Sequence, residues 1–110
     1  MIDSQLYKGS LQPILLKLLQ DNGKMYGYEM TQKIKLISNN QLEIKEGALY
    51  PALHKLEAQG IVEVEAEKID GRIRKYYKLT EFGEKESVNR LQSIVNTLEQ
   101  LQQLLQPQNI

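Results

Sequence analysis

Apolar residues recur at helical spacing in four parts of the chain and alternate with polar residues in a fifth. After Ser10 they repeat at i, i+3, i+4, i+7 and i+8, which predicts an amphipathic helix with Ser10 as its N-cap. Pro13 then falls in the first turn, where a missing N–H is tolerated, and Gly23 ends the helix. The apolar positions are Leu11, Ile14, Leu15, Leu18 and Leu19.

A second helix is predicted from about Gly27 to Ser38, with Asn39-Asn40 after its end. Lysines lie on its outward side. Leu42 and Ile44 then lead as extended chain into the third helix. The inward residues of the second helix are expected to be Met30, Ile34 and Ile37.

A third helix, Glu46 to Gln59, ends at Gly60, because a residue without a Cβ suits a left-handed C′ position. Pro51 is compatible with this helix within about the first turn, so the helix is expected to begin near Glu46–Leu49. The face opposite the apolar stripe is small, polar or cationic and suits close approach to DNA. On the stripe alone, an ordinary amphipathic core helix is the alternative interpretation. The stripe consists of Leu49, Ala52, Leu53 and Leu56.

The next segment predicts a β-hairpin. Three apolar residues from Val62 onward alternate with three glutamates, the pattern of a half-buried strand. A type I′ turn at Asp70-Gly71 fixes the register, because paired residue numbers then sum to one value. One face of the hairpin becomes apolar and the other a ladder of opposite charges. The predicted pairs are Ile69 with Arg72, Glu67 with Arg74, Glu65 with Tyr76, Val64 with Tyr77, Glu63 with Lys78 and Val62 with Leu79.

The basic residues of the second strand permit two interpretations. Arg74 and Lys78 face glutamates in the predicted register, so structural ion pairs would explain them. Arg72, nearest the turn, has no acid opposite it and is the better candidate for a DNA contact.

The last helix is expected to begin after Thr80, a further candidate N-cap, with Glu81 and Glu84 near the positive end of its dipole. Apolar residues at heptad spacing then form a seam. A helix of about 25 residues spans roughly 37 Å. This is more than a three-helix core can cover, so we expect a homodimer interface along the seam. The alternative is that the seam folds back onto the first helix. The seam residues are Leu91, Ile94, Val95, Leu98, Leu101 and Leu105.

Three helices followed by a hairpin is the order of a winged helix-turn-helix, in which the third helix enters the major groove and the hairpin meets the flanking backbone. The predicted fold class is therefore mainly α with a small β-hairpin, a winged helix-turn-helix followed by a long C-terminal dimerisation helix. Residues 1–80 are assigned to the DNA-binding domain and residues 81–110 to the dimerisation helix.

Four motifs, MYGYE (25–29), EGALYPAL (46–53), LEAQGI (56–61) and GRIRKYYKLT (71–80), follow one another in this order. Together they resemble the PadR family of transcriptional regulators, over Lys8 to Gly83. The resemblance implies a dimeric bacterial winged-helix repressor of the short type, with a single C-terminal helix. It also implies a phosphate contact for Tyr50 and a groove-edge contact for the wing arginine.

The expected function is a sequence-specific transcriptional regulator, a repressor that binds an inverted-repeat operator in double-stranded DNA as a homodimer. A winged-helix module used only for protein contacts is the alternative, which 14 basic and 14 acidic residues permit. The candidate DNA-binding residues are Lys45, Gly47, Ala48, Tyr50, Pro51, His54, Lys55, Arg72, Arg74 and Lys75.

The 110-residue chain has no cysteine and one histidine, His54. This composition excludes a thiolate metal site and a histidine-based triad, and no phosphate loop is present, so we expect no enzyme, cofactor or metal. The absence of cysteine, of a secretion signal and of a membrane-length apolar run favours the cytoplasm. The last helix contains no aromatic residue from Glu84 to Gln106, so a small-molecule effector is permitted but not indicated.

Overall fold

The computed structural model describes residues 4–107. Its helices and its three-stranded antiparallel sheet confirm the predicted winged helix-turn-helix with a long C-terminal helix. The strand order is β1-β3-β2, so β3 is the central strand. In chain order the elements are α1 (Ser4–Asn22), β1 (Lys24–Tyr26), α2 (Gly27–Ile37), α3 (Glu46–Ala58), β2 (Val62–Ile69), β3 (Arg72–Leu79) and α4 (Glu81–Leu105).

One hydrophobic core joins α1, α2 and α3 to the inner face of the sheet. Fully burying an aliphatic side chain contributes about 1.5–3 kcal/mol relative to leaving it exposed, so this cluster holds α3 in place for the site described below. Its fully buried apolar residues are Leu15, Leu16, Leu19, Met30, Leu49, Leu53, Leu56, Ile61 and Val62.

The predicted start of α1 is wrong. The helix begins at Ser4, and Ser10 lies inside it, where its hydroxyl donates to the Leu6 carbonyl at 3.1 Å. A serine that bonds back to residue i−4 is compatible with a helix interior, although it looks like an N-cap in the sequence. Pro13 is consequently an interior residue and not a first-turn residue. The predicted end is confirmed, since Gly23 has φ +80° and its N–H reaches the Leu19 carbonyl at 3.0 Å.

Helix α2 ends one residue before the predicted boundary, and its inward face is shorter than predicted. Met30 and Ile34 are buried as expected, but Ile37 is 64% exposed. Ile37 is the last helical residue, and after the turn Leu42 returns to the core. Ser38 fixes this turn, because its hydroxyl accepts the Leu42 N–H at 3.0 Å.

The hairpin register agrees with the sequence prediction in every pair, from Val62 with Leu79 to Ile69 with Arg72. Asp70 and Gly71 both have positive φ, 50° and 79°, as a type I′ turn requires.

The short strand β1 was not predicted from the sequence. It pairs with β3 through Lys24–Lys78, Met25–Tyr77 and Tyr26–Tyr76. Its three residues give almost no periodic signal, and their partner strand lies far away in the sequence. This strand places Lys24 and Tyr26 on the outer face of the sheet, the face that points away from the hydrophobic core. There they lie beside the charged residues of the β2–β3 hairpin, which forms the wing.

Helix α4 begins where predicted, because the Thr80 hydroxyl accepts the Gly83 N–H at 2.9 Å. Its first half packs on α1, where the Gln20 amide donates to the buried Ser87 hydroxyl at 2.9 Å. The alternative that the last helix folds back onto the first helix is therefore correct for this half of α4. The second half extends away from the core with exposed leucines.

Candidate nucleic-acid interface

Helix α3 carries a buried apolar stripe on one side and the candidate DNA-binding residues on the opposite side. Leu49, Leu53 and Leu56 are completely buried, as predicted. The opposite residues all lie in solvent, and the helix follows an exposed N-cap at Lys45. The exposed candidate residues of this helix are Gly47, Ala48, Pro51, His54 and Lys55.

Pro51 lies in the second turn of α3 and not within the first turn, as the sequence analysis expected. Its ring removes the N–H that would bond to the Gly47 carbonyl. Gly47 is exposed, so water can satisfy that carbonyl at low cost. The exposed face therefore combines a proline ring with a glycine, and neither projects a long side chain.

Tyr50 lies at the side of α3 and is half-buried. Its ring covers the first residue of α2, Gly27, where an added Cβ would lie 2.9 Å from the Tyr50 Cζ. A side chain at position 27 would therefore push the Tyr50 ring out of this position. The hydroxyl lies at the N-terminal end of α2, where backbone N–H groups favour anions. The contact between Gly27 and Tyr50 was not predicted from the sequence.

On the outer face of the sheet, lysines and glutamates form ion pairs with one another. Lys78 contacts Glu65 at 2.8 Å and Glu63 at 3.6 Å, as the predicted register allowed. Lys24 from β1 reaches Glu65 at 3.3 Å and also pairs with Glu67. The ammonium of Lys78, with that of Lys24, lowers the pKa of the Glu65 carboxyl below its ordinary value.

The proposed ion pair between Arg74 and Glu67 is wrong. Glu67 is taken by Lys24, which the missed strand brings into reach. The Arg74 guanidinium instead lies over the Tyr26 ring, 4.2 Å from its centre, and the Tyr76 hydroxyl raises the pKa of Arg74. Tyr26 meets Tyr76 edge to face with ring centres 5.5 Å apart. These contacts join the wing to the start of α2.

Arg72 lies beside the turn, opposite Ile69, and is exposed. Lys75 is also exposed. Neither side chain forms an ion pair or a hydrogen bond with any part of the chain from 4 to 107. Both cations are therefore available to an external anion.

The predicted dimerisation seam divides into two parts. Leu91 and Ile94 are half-buried against the body of the protein. The remaining seam residues are exposed: Val95, Leu98, Leu101 and Leu105. Beside them an apolar groove of about 360 Å³ runs between α1, the end of α2 and α4. Its lining includes Ile14, Leu18, Ile37, Leu42, Leu91 and Leu98.

Across residues 4–107 no group of three or more His, Cys, Asp or Glu side chains is placed to hold a metal ion. No helix in the described part of the chain has the length and apolarity needed to cross a membrane.

The exposed face of α3, the wing beside it and the long final helix define a winged helix-turn-helix of the transcription-regulator class. Residues 15–89 match the transcriptional regulator PadR-like family. The chain therefore belongs to this family and is a transcriptional regulator, as the four motifs had indicated.

Solved structures of other regulators share the fold over nearly the whole chain. A transcriptional regulator from Clostridium thermocellum is 26% identical, with a TM-score of 0.82 and coverage of 96% of this chain and 100% of that one. A PadR-like transcription factor from Bacteroides fragilis is 31% identical, with a TM-score of 0.73 and coverage of 92% and 95%. Among proteins similar in sequence, a transcriptional regulator of Mycobacterium tuberculosis is 36% identical over 62 residues, 56% of this chain and 55% of that protein.

Proposed function

We propose that this regulator binds double-stranded DNA sequence-specifically as a homodimer and acts as a repressor in the cytoplasm, without catalytic activity. The observation that carries the proposal is the exposed face of α3, held by a buried stripe and built largely from the small residues Gly47, Ala48 and Pro51. A helix presented in this way can enter a major groove about 12 Å wide.

The contacts follow from the positions of the side chains. Gly47, Ala48 and Pro51 allow close approach of α3, while His54 and Lys55 supply polar contacts on the same exposed side. Lys45 at the N-cap of α3 and the Tyr50 hydroxyl, which lies near the N-terminal end of α2, are the proposed phosphate contacts. In the wing, Arg72 and Lys75 are the candidate contacts, whereas Arg74 is engaged by Tyr26 and we assign it to positioning the wing.

Dimerisation through α4 is supported by exposed apolar residues on its second half. Four seam residues are placed symmetrically about Leu98: the half-buried Leu91 and the exposed Leu105 lie seven residues away on either side, and Val95 and Leu101 three residues away. A two-fold axis at Leu98 would pair each residue with its symmetric counterpart on an antiparallel partner helix. Residues 81–110 then form the dimerisation unit and residues 1–80 the DNA-binding domain.

This arrangement requires a symmetric operator. A two-fold axis relates the two copies of α3, so the DNA site must be an inverted repeat with half-sites about one helical turn, or a multiple of it, apart. Repression then follows if such a site overlaps a promoter and excludes the polymerase.

The experiment is selection of genomic fragments by the protein, followed by footprinting of the selected fragments. We expect a protected inverted repeat. An added methyl group at Gly47 meets nothing within 4 Å beyond its own stretch of helix, so Gly47→Ala should keep the fold but weaken binding. Gly9→Ala, which also has room for its Cβ, is the matched control on α1. Absence of any selected fragment would support the protein-interaction alternative.

A further inference from the structure

A cavity of about 600 Å³ lies where α3 faces the packed pair of α1 and α4. Pockets for small molecules have volumes of roughly 300–1,000 Å³, so this space is large enough for a ligand. The apolar groove described above is bounded by α2, whereas this cavity is bounded by α3. It therefore adjoins the helix that carries the candidate DNA-binding face.

The lining of the cavity has an excess of positive charge. Each of the three helices contributes one cation, and the described residues of the lining include no aspartate or glutamate. The side chains of Lys8 and Lys55 form no ion pair or hydrogen bond within residues 4–107. The Arg90 Nε donates to Glu86 at 3.3 Å, and because a guanidinium has five N–H donors, others remain for a ligand.

The floor of the cavity is apolar, and its rim is open. Leu16 and Ala52 line the floor and are buried. Gly9 lines the cavity from the interior of α1, where an added Cβ would meet nothing within 4 Å beyond its own stretch of helix. Alanine favours a helix more than glycine does, so the stability of α1 does not explain this glycine. The missing side chain leaves space that a ligand can use.

A small organic dianion with an apolar part complements this lining. A phosphate monoester carries close to two negative charges at neutral pH, and an arginine can bind phosphate through two parallel N–H bonds. We propose that the cavity binds a phosphate monoester of a small apolar group. Its phosphate lies among Lys8, Lys55 and Arg90, and its organic group packs on the apolar floor.

Occupation of the cavity should compete with DNA. Ala48, Pro51 and Lys55 line the cavity and also belong to the exposed side of α3 that is proposed to enter the major groove. A bound ligand covers part of this surface and neutralises Lys55. The ligand is then an inducer that releases the regulator from its operator. This consequence rests on the proposed function, whereas binding of the ligand itself does not.

The first test is an NMR titration of the full chain with phenyl phosphate in the absence of DNA. Saturable shift changes are expected in the facing parts of α1, α3 and α4, with one ligand bound per chain. Benzoate has a single charge and should bind at least about tenfold more weakly, since it loses a charge-assisted hydrogen bond. Neutral phenol should not saturate the site. Benzoate that binds as tightly as phenyl phosphate overturns the assignment of a dianion, and no saturable binding of phenyl phosphate overturns the site.

Variants of the lining locate the site. Lys8→Gln and Arg90→Gln should each weaken phenyl phosphate binding by about tenfold or more. Gly9→Leu should abolish binding, because its side chain fills the cavity without changing the charge. Lys85→Gln is the matched control, since it removes a charge from an exposed position of α4 outside the cavity, and it should bind phenyl phosphate as the wild type does. Wild-type affinity in Lys8→Gln and Arg90→Gln overturns the inference.

The second test is competition on the selected duplex. Phenyl phosphate should raise the apparent Kd of the wild type for DNA in proportion to its concentration, while Gly9→Leu should bind DNA normally and ignore the ligand. If Lys8→Gln without ligand lowers the salt slope of DNA binding by about 0.9, the cations of the cavity contact the DNA backbone, and the inference is overturned. A protein that binds phenyl phosphate but no duplex overturns the proposed function and leaves the ligand site intact.

Discussion

The Arg74 guanidinium lies 4.2 Å from the centre of the Tyr26 ring, so a residue of the wing is held by the residue that precedes α2. A cation over the face of an aromatic ring is attracted by the ring quadrupole. Arg74→Ala should therefore lower the free energy of unfolding slightly and speed hydrogen exchange in β3. The salt slope of DNA binding should stay at the wild-type value. A slope reduced by about one would show that Arg74 contacts a phosphate.

Gly83 in the first turn of α4 lies directly against the backbone of Ile61, where an added Cβ would come within 2.8 Å of the Ile61 carbonyl carbon. Backbone cannot move aside as a flexible side chain can. Gly83→Ala should therefore destabilise the protein by about 1–3 kcal/mol in urea unfolding. Gly9→Ala, in the open interior of α1, should instead stabilise it by up to about 1 kcal/mol. Equal effects of the two substitutions would contradict the close approach.

The pH dependence of the wing should follow the charge cluster on its outer face. Lys78 and Lys24 lower the pKa of Glu65 in the folded protein, so Glu65 contributes stability above the unfolded carboxyl pKa and loses it as pH falls through the lower folded value. NMR titration of the Glu65 carboxyl should give a pKa below that of an unpaired, exposed glutamate. Lys78→Gln should raise that pKa. An unchanged pKa in this variant would show that the Lys78 contact is absent in solution.

The proposed antiparallel pairing of α4 places Leu98 on the two-fold axis. Since the chain has no cysteine, single cysteines report the geometry directly. Leu98→Cys should form a disulfide-linked dimer rapidly, because the two Cα atoms must approach within about 7 Å. Leu91→Cys should cross-link only when mixed with Leu105→Cys. Self-cross-linking of Leu91→Cys would indicate a parallel pair instead.

The features that could be predicted from the sequence are those that neighbouring residues determine. The hairpin register was predictable because the two turn residues, Asp70 and Gly71, determine every pair. Strand β1 was not predictable from three residues, since it exists only through its pairing with β3. The ion-pair partner of Glu67 was mispredicted for the same reason. Without strand β1, Lys24 could not be placed beside Glu67, and Arg74 remained the expected partner.

Tertiary context also decided the helix boundaries. Ser10 and Pro13 look like the start of a helix, yet the helix continues through both. In the candidate site, the exposed face of α3 followed from its periodicity alone. The placement of Tyr50 over Gly27 did not, because it depends on how α2 crosses α3.

The most direct test of DNA binding by a homodimer is the mass of the complex on the selected duplex, measured by analytical ultracentrifugation. Two protein chains per duplex are predicted for the wild type. The variant with both Leu98→Asp and Leu101→Asp places unpaired charges in the proposed interface and should remain a monomer that forms no stable complex. One chain per duplex for the wild type, or a complex of unchanged mass for the variant, would contradict dimerisation through α4.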